Sequence, residues 1–291
     1  MITSLQNPRV KFLRSLRQRK YREREGCFLV EGIRAVEEAL DCGAPVATLV
    51  YAPDLLVSER AQALLERVEP GRRLALSGDA FRSLSDREEP QGLAAVVRIE
   101  ERSLAAIPLT ADLLVIVAHQ LSDPGNLGSI IRTADAAGAT GVVVVEPSVD
   151  LYDPQTVRAT MGSLFALPVV RVAGEEALSH WYAQVRAVGL PLLVVASSAH
   201  GRQVHFDVDY RRPVVLWVGT ERHGLPPSLR EQADVVVRLP MAGRATSLNV
   251  SAATAALVYE IVRQRRTTAQ QLSYYTQPGE ADMVQAVEGL G

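Results

Sequence analysis

The stretch LLVIVAHQLSDPGNLGSIIRTADAAGATGVVVVEP, Leu113 to Pro147, decides the fold. LLVIVA and the run Val142–Val145 are strand-sized and apolar on both faces. Between them Leu127, Ile130, Ile131 and Ala134 fall on one stripe of a helix predicted over Leu127–Ala137. Asn126 stands at its expected N-cap and Gly138 stops it. Strand, helix and strand in this order, with strands apolar on both sides, form the unit of a parallel sheet covered by helices on both faces.

The same alternation extends outward. Downstream, strands are expected at Leu192–Ser197, Val214–Gly219 and Val235–Leu239. Upstream, a basic helix over roughly Leu5–Arg19 leads to a strand at Phe28–Val30. A helix follows within Glu31–Cys42, ended by Gly43, and strands are expected at Val46–Tyr51 and Leu93–Arg98. Residues 1–100 therefore read as a small α/β module, 101–112 (ERSLAAIPLTAD) as a linker, and 113–266 as the larger α/β domain. Residues 267–291 form a tail with no readable pattern.

Composition bounds the function. With 291 residues, 47% hydrophobic and 22% charged, the chain is long enough for two domains and has no apolar run that spans a bilayer. Its basic N-terminus lacks the apolar core of a secretory signal. Cys27 and Cys42 lie in no metal-like spacing, which suits reduced thiols in a cytoplasmic protein. Of the histidines only His200 and His205 resemble a metal pair, and with no further ligand nearby no metal is expected. The net charge of −2 conceals an asymmetry. Arg9, Lys11, Arg14, Arg17, Arg19, Lys20, Arg22 and Arg24 face a single acid, Glu23, within residues 1–24. Such a segment is either a solvated basic face or a contact for a phosphate backbone.

Ligands of parallel sheets bind beyond the carboxyl ends of the strands, and three loops there are unusual. The first holds Asn126, with Ser129 and Arg132 off the apolar stripe of its helix; taken alone it reads as a capped surface helix with an Arg132–Asp135 pair. In the second, VGTERHGLPP, Gly219 and Gly224 bracket Glu221. The third, LPMAGRATSLNVSAATAALVYE (Leu239–Glu260), places small residues, Met241, Ser247 and Asn249 ahead of an Ala-rich helix. No strand is followed by GxGxxG and no Gly-Lys-Ser/Thr loop is present, which disfavours dinucleotides and nucleoside triphosphates. Glycine-edged loops without a phosphate cradle suit S-adenosylmethionine.

DPGNLGSIIRTADAAG, LWVGTERHGLP and LPMAGRATSLNVSAATAALVYE, in that order, resemble the three motifs of the SpoU (TrmH-like) RNA 2′-O-ribose methyltransferases of the SPOUT class. DLYDPQTVRATMGSLFALPV is similar to the family's segment between the first two motifs. NPRVKFLRSLRQRKYREREGCFLVEGIRAVEEAL is similar to the substrate-binding module of ribosomal-RNA members. The resemblance implies a SPOUT domain with a mostly parallel sheet and a deep trefoil knot, which periodicity alone does not suggest. It also implies a smaller N-terminal RNA-binding domain like ribosomal protein L30e, S-adenosylmethionine as cofactor, and a homodimer. Carried over motif by motif, the catalytic set is Asn126, Arg132, Glu221, Ser247 and Asn249. The cofactor set is Gly219, Thr220, Glu221, Leu239, Met241, Ser247 and Leu248.

The family's proposed base is the motif-one arginine. A guanidinium stays protonated, so Arg132 is expected to clamp the target and stabilise the developing alkoxide, oriented by Glu221, Ser247 and Asn249. An RNA substrate turns Arg9, Lys11, Arg14, Arg17, Lys20 and Arg22 into expected phosphate contacts. Large-subunit rRNA is the first candidate target because of the N-terminal module, and tRNA the second; housekeeping modification and antibiotic resistance are both open. A non-catalytic RNA-binding protein on the same fold has no need of Arg132, Glu221 and Asn249.

Overall fold

The computed structural model describes residues 1–220 and 223–266. In it two sheets form in chain order. The first comprises β1 (Cys27–Glu31), β2 (Val46–Tyr51), β3 (Arg73–Ala75) and β4 (Leu93–Arg98), in the order β1-β4-β2-β3. β4 runs antiparallel to both neighbours, and β2 and β3 are parallel. β3 is too short to stand out from the sequence. The second sheet comprises β5 (Leu114–His119), β6 (Gly141–Val145), β7 (Val169–Val172), β8 (Leu193–Ser197), β9 (Gln203–Val204), β10 (Val214–Val218) and β11 (Val235–Arg238). Its order is β7-β6-β5-β10-β8-β11-β9, with every pairing parallel.

The period-two alternation of side chains sorts β5 between two cores. Leu114, Ile116 and Ala118 join Leu127, Ile130 and Ile131 of helix Pro124–Ala136 and Leu257, Val258 and Ile261 of helix Val250–Arg265. Val115 and Val117 face Leu178, Trp181 and Val185 of helix Glu176–Ala187. Both faces of the sheet's centre are therefore dry, which is why β5, β6, β8 and β10 read as nearly unbroken apolar runs. The linker is pinned rather than loose, because Ile107 is buried in the second core and Arg102 donates to the Leu167 carbonyl at 3.3 Å.

Two local expectations need correction. The N-terminal basic helix is two helices, Pro8–Ser15 and Arg19–Glu25. Pro8 and the Asn7 side chain, which accepts from the Arg9 amide at 2.9 Å, start the first, and the extended Gln18 separates it from the second. The motif-one helix begins at Pro124 and not at Leu127. Its N-cap is Asp123, whose carboxylate accepts from the Asn126 amide at 2.7 Å, so Asn126 lies inside the first turn.

The two sheets share an apolar junction. Phe28 and Val30 of β1 belong to one continuous cluster with Leu151, Val157 and Leu164 of the larger domain. The Phe28 ring lies 4.7 Å from that of Tyr152 and 6.3 Å from that of Phe165.

Candidate active site

Sheet order places the carboxyl ends of β5, β10, β8 and β11 side by side, at His119, Val218, Ser197 and Arg238. The three loops singled out by sequence leave β5, β10 and β11. Between the last two lies the end of β8, expected at Ser197, whose following segment the sequence does not single out. Its segment Ser197–Gly201 is held to β11 by the Ser198 amide, which donates to the Val237 carbonyl at 2.9 Å. A Cβ on Gly201 would stand 2.4 Å from the Val237 carbonyl carbon. The only sequence signal for this segment was a strand ending in Ser-Ser, and adjacency in the sheet supplies the rest.

The loop after β10 is tight. Gly219 is buried, and a Cβ there would lie 2.2 Å from the Gly224 carbonyl carbon and 2.4 Å from the Leu225 amide nitrogen. The Gly224 amide donates to the Thr220 carbonyl at 3.0 Å, and the His223 amide to Thr220 Oγ1 at 3.1 Å. The backbone is thus folded onto itself, and no residue larger than glycine fits position 219 without moving it. Glu221 lies outside the described residues.

After β11, Leu239 is half-buried and residues 240–249 run exposed, with Met241 37% and Leu248 46% accessible. Both are large apolar side chains left accessible on a loop that also holds glycine and alanine. Ser247 sits in this exposed loop, and among the described residues no hydrogen bond ties it to Asn126 or Arg132.

Asn249 closes the arrangement. Its Oδ1 accepts from the Ser251 amide at 2.9 Å, Ser251 Oγ at 2.6 Å and the Ala252 amide at 3.3 Å, capping helix Val250–Arg265. That fixes the amide's orientation, because the remaining atom must be the NH₂ group. Asn249 Nδ2 donates to Asn126 Oδ1 at 2.9 Å. Motif one and motif three therefore meet through a side-chain pair, with Asn126 buried.

Arg132 lies six residues beyond Asn126 on the same helix and is exposed. It forms no pair with Asp135, whose carboxylate instead accepts from Ser163 Oγ at 2.6 Å. Among the described residues no carboxylate pairs with the Arg132 guanidinium. Beside the site, the buried His119 ring packs 6.1 Å from Trp217, and burial holds its imidazole below the ordinary value of 6.5. Among the described residues no cluster of His, Cys, Asp and Glu has the makings of a metal site, and no helix is long and apolar enough to cross a membrane.

The basic segment divides. Arg9, Lys11 and Lys20 are exposed. Arg14 donates to the Leu5 carbonyl at 2.6 Å and Arg17 pairs with Asp86, both remaining partly accessible. Arg22 does not belong with them. It is 2% exposed and pairs with Asp150, which removes it from any RNA surface.

Comparison with known proteins agrees with this geometry. The SpoU rRNA Methylase family matches residues 113–259, and the MRM3-like substrate binding domain matches residues 7–95. A 23S rRNA (uridine(2479)-2′-O)-methyltransferase of Streptomyces viridochromogenes is 40% identical over 251 residues, covering 86% of this chain and 87% of that protein. The chain belongs to the SpoU rRNA methylase family. The 23S rRNA (guanosine(2553)-2′-O)-methyltransferase RlmP of Bacillus subtilis is 34% identical over 261 residues, covering 89% of this chain and 98% of its own length. The crystal structure of the SpoU methyltransferase AviRb from S. viridochromogenes in complex with AdoMet superposes with a TM-score of 0.85 at 38% identity, over 91% of this chain and all of that one. An AdoMet-bound rRNA methyltransferase from Sinorhizobium meliloti superposes with a TM-score of 0.79 at 39% identity, over 90% of this chain and 97% of its own.

Proposed function

We propose that this chain is an S-adenosylmethionine-dependent methyltransferase acting on a ribose 2′-hydroxyl of 23S rRNA, as a cytoplasmic homodimer. The observation that carries the reading is the Asn249–Asn126 hydrogen bond, which joins two distant motifs at the carboxyl edge of a parallel sheet, beside a glycine-walled turn and an exposed Arg. The relatives' printed activities point the same way.

Gly219, Thr220, Leu239, Met241, Ser247 and Leu248, with Glu221, would hold the cofactor, which supplies an electrophilic methyl group. Arg132 binds the target ribose or its phosphate and stabilises charge developing on the 2′-oxygen. Its permanent protonation suits a clamp rather than a base. The Asn126–Asn249 pair holds the helix of Arg132 and the loop of Ser247 in fixed register, and such positioning supplies much of the rate of an in-line transfer. A site built around a 2′-hydroxyl also separates RNA from DNA.

The exposed Tyr259 on helix Val250–Arg265, 51% accessible, favours a second copy packing on this helix. The trefoil-knotted course of 239–249 and the L30e-like character of residues 1–100 belong to the same reading. The exposed Arg9, Lys11 and Lys20, with Arg14 and Arg17, would contact RNA phosphates. The deciding experiment maps 2′-O-methyl sites in total RNA with and without the gene. One 23S position lost with the gene and restored by it is expected; an unchanged 23S map with a lost tRNA site assigns the other substrate.

A further inference from the structure

Among the described residues Arg22 is the largest fully buried side chain, and an arginine is almost never so buried without a partner. Its partners come from two directions. Nη1 donates to the Leu16 carbonyl at 2.8 Å, closing the bend between the two basic helices. Nη2 pairs with Asp150, a residue of the larger domain whose own carboxylate is 12% exposed. Asp150 is tied in turn: its other oxygen accepts from the Tyr152 amide at 3.0 Å, and its carbonyl accepts from Thr156 Oγ1 at 3.1 Å. Thr156 begins the next step. It lies on helix Pro154–Thr160, whose backbone rests on Gly128 so closely that a Cβ there would stand 2.5 Å from the Thr156 carbonyl oxygen. Gly128 belongs to the helix that carries Asn126 and Arg132.

We propose that Arg22 and Asp150 are a positioning pair that fixes the basic helices relative to the methyl-transfer centre, so that RNA held by the first presents its ribose to the second. This rests on the methyltransferase reading. To the apolar contacts of Phe28 with Tyr152 and Phe165 the pair adds a directional constraint, because a guanidinium bonded along two of its arms fixes an angle as well as a distance. Among the described residues neither side chain bonds to the loops after β10 and β11, and their role acts through Thr156 and Gly128.

The test compares Arg22→Ala, Asp150→Ala and the exchange Arg22→Asp/Asp150→Arg in the full chain. Amide hydrogen exchange reads the anchoring whether or not the protein is a methyltransferase. In Arg22→Ala, amides of residues 8–25 are expected to exchange at least about tenfold faster, while those of helices Pro124–Ala136 and Val250–Arg265 keep their wild-type rates. Unchanged exchange in 8–25, or acceleration throughout the chain, overturns the pair as a local tether. Kinetics with 23S rRNA fragments read the positioning. The KM for RNA is expected to rise about tenfold or more in both single variants, with the dissociation constant for S-adenosylmethionine held within about twofold, and the exchange variant to recover part of the loss. Equal loss of RNA and cofactor affinity, or unchanged RNA kinetics, overturns the positioning role. Absence of 23S methylation by the wild type bears on the functional reading alone, since the exchange measurement still decides the tether.

Discussion

Asn249 serves two masters: its Oδ1 caps the last helix through Ser251 and Ala252, and its Nδ2 donates to Asn126 Oδ1 at 2.9 Å. The two roles separate by substitution. Asn249→Asp keeps the capping oxygen, places a negative charge at a helix N-terminus where it is favoured, and loses the donor to Asn126. Asn249→Ala loses both. The aspartate variant is therefore expected to unfold within about 0.5 kcal/mol of wild type, and the alanine variant about 1 kcal/mol lower. Both should bind S-adenosylmethionine and both should lose turnover at saturating cofactor. Full turnover in Asn249→Asp would remove the pair from the active site.

Gly219→Ala probes the turn proposed to hold the cofactor. The added methyl meets Gly224 and Leu225 backbone at 2.2 to 2.5 Å, and backbone has no rotamer with which to yield. The turn must open while the sheet beneath it stays in place. Calorimetry is expected to show a loss of cofactor affinity of about tenfold or more, with thermal unfolding changed by no more than about 1–3 kcal/mol. Wild-type affinity in this variant contradicts the placement of the cofactor here.

Much of this architecture is legible in the sequence. β2, β4 and β6 fall where apolar runs place them, and β4 and β6, buried on both faces, need no context to be recognised. β3, β7 and β9 were missed, being two to four residues long and defined by their neighbours. DPGN offers two capping residues, Asp123 and Asn126, and only the Pro124 ring, preset for the first helical position, favours Asp123, the cap the structure has. The three motif loops were found by type and order, but their meeting through Asn126 and Asn249 depends on sheet order, which local patterns do not encode. Arg22 was grouped with its basic neighbours for the same reason: its partner lies 128 residues away.

Acid should weaken the fold through His119. Its imidazole is depressed in the folded state by burial, so below the ordinary value of 6.5 the unfolded chain takes up the proton first. The stability associated with the neutral ring is present above pH about 6.5 and is lost as pH falls below it. The melting temperature of wild type minus that of His119→Gln is expected to become more negative from pH 7.5 to pH 5.5, values bracketing that range. A constant difference means that His119 does not titrate in this way.

Arg132→Lys tests the clamp. Lysine keeps the charge and loses the planar fork, and no carboxylate among the described residues holds the native guanidinium in place. Methyl transfer is expected to fall about 100-fold, the scale of one lost transition-state donor, with cofactor affinity unchanged. Near-native turnover in the lysine variant reduces the role to charge alone.

The N-terminal cations should reveal themselves in salt. Arg9, Lys11 and Lys20 are exposed, so neutralising them removes phosphate contacts without disturbing the core that holds Val10 and Leu13. Each counterion released on binding adds about 0.7 to 0.9 to the slope of log affinity against log salt. Replacing all three by alanine is expected to flatten that slope by about 2 to 3 for an rRNA fragment, with cofactor binding and melting temperature preserved. Arg22, buried against Asp150, contributes nothing to this count, and a slope that survives the triple substitution intact moves the RNA contact to another face.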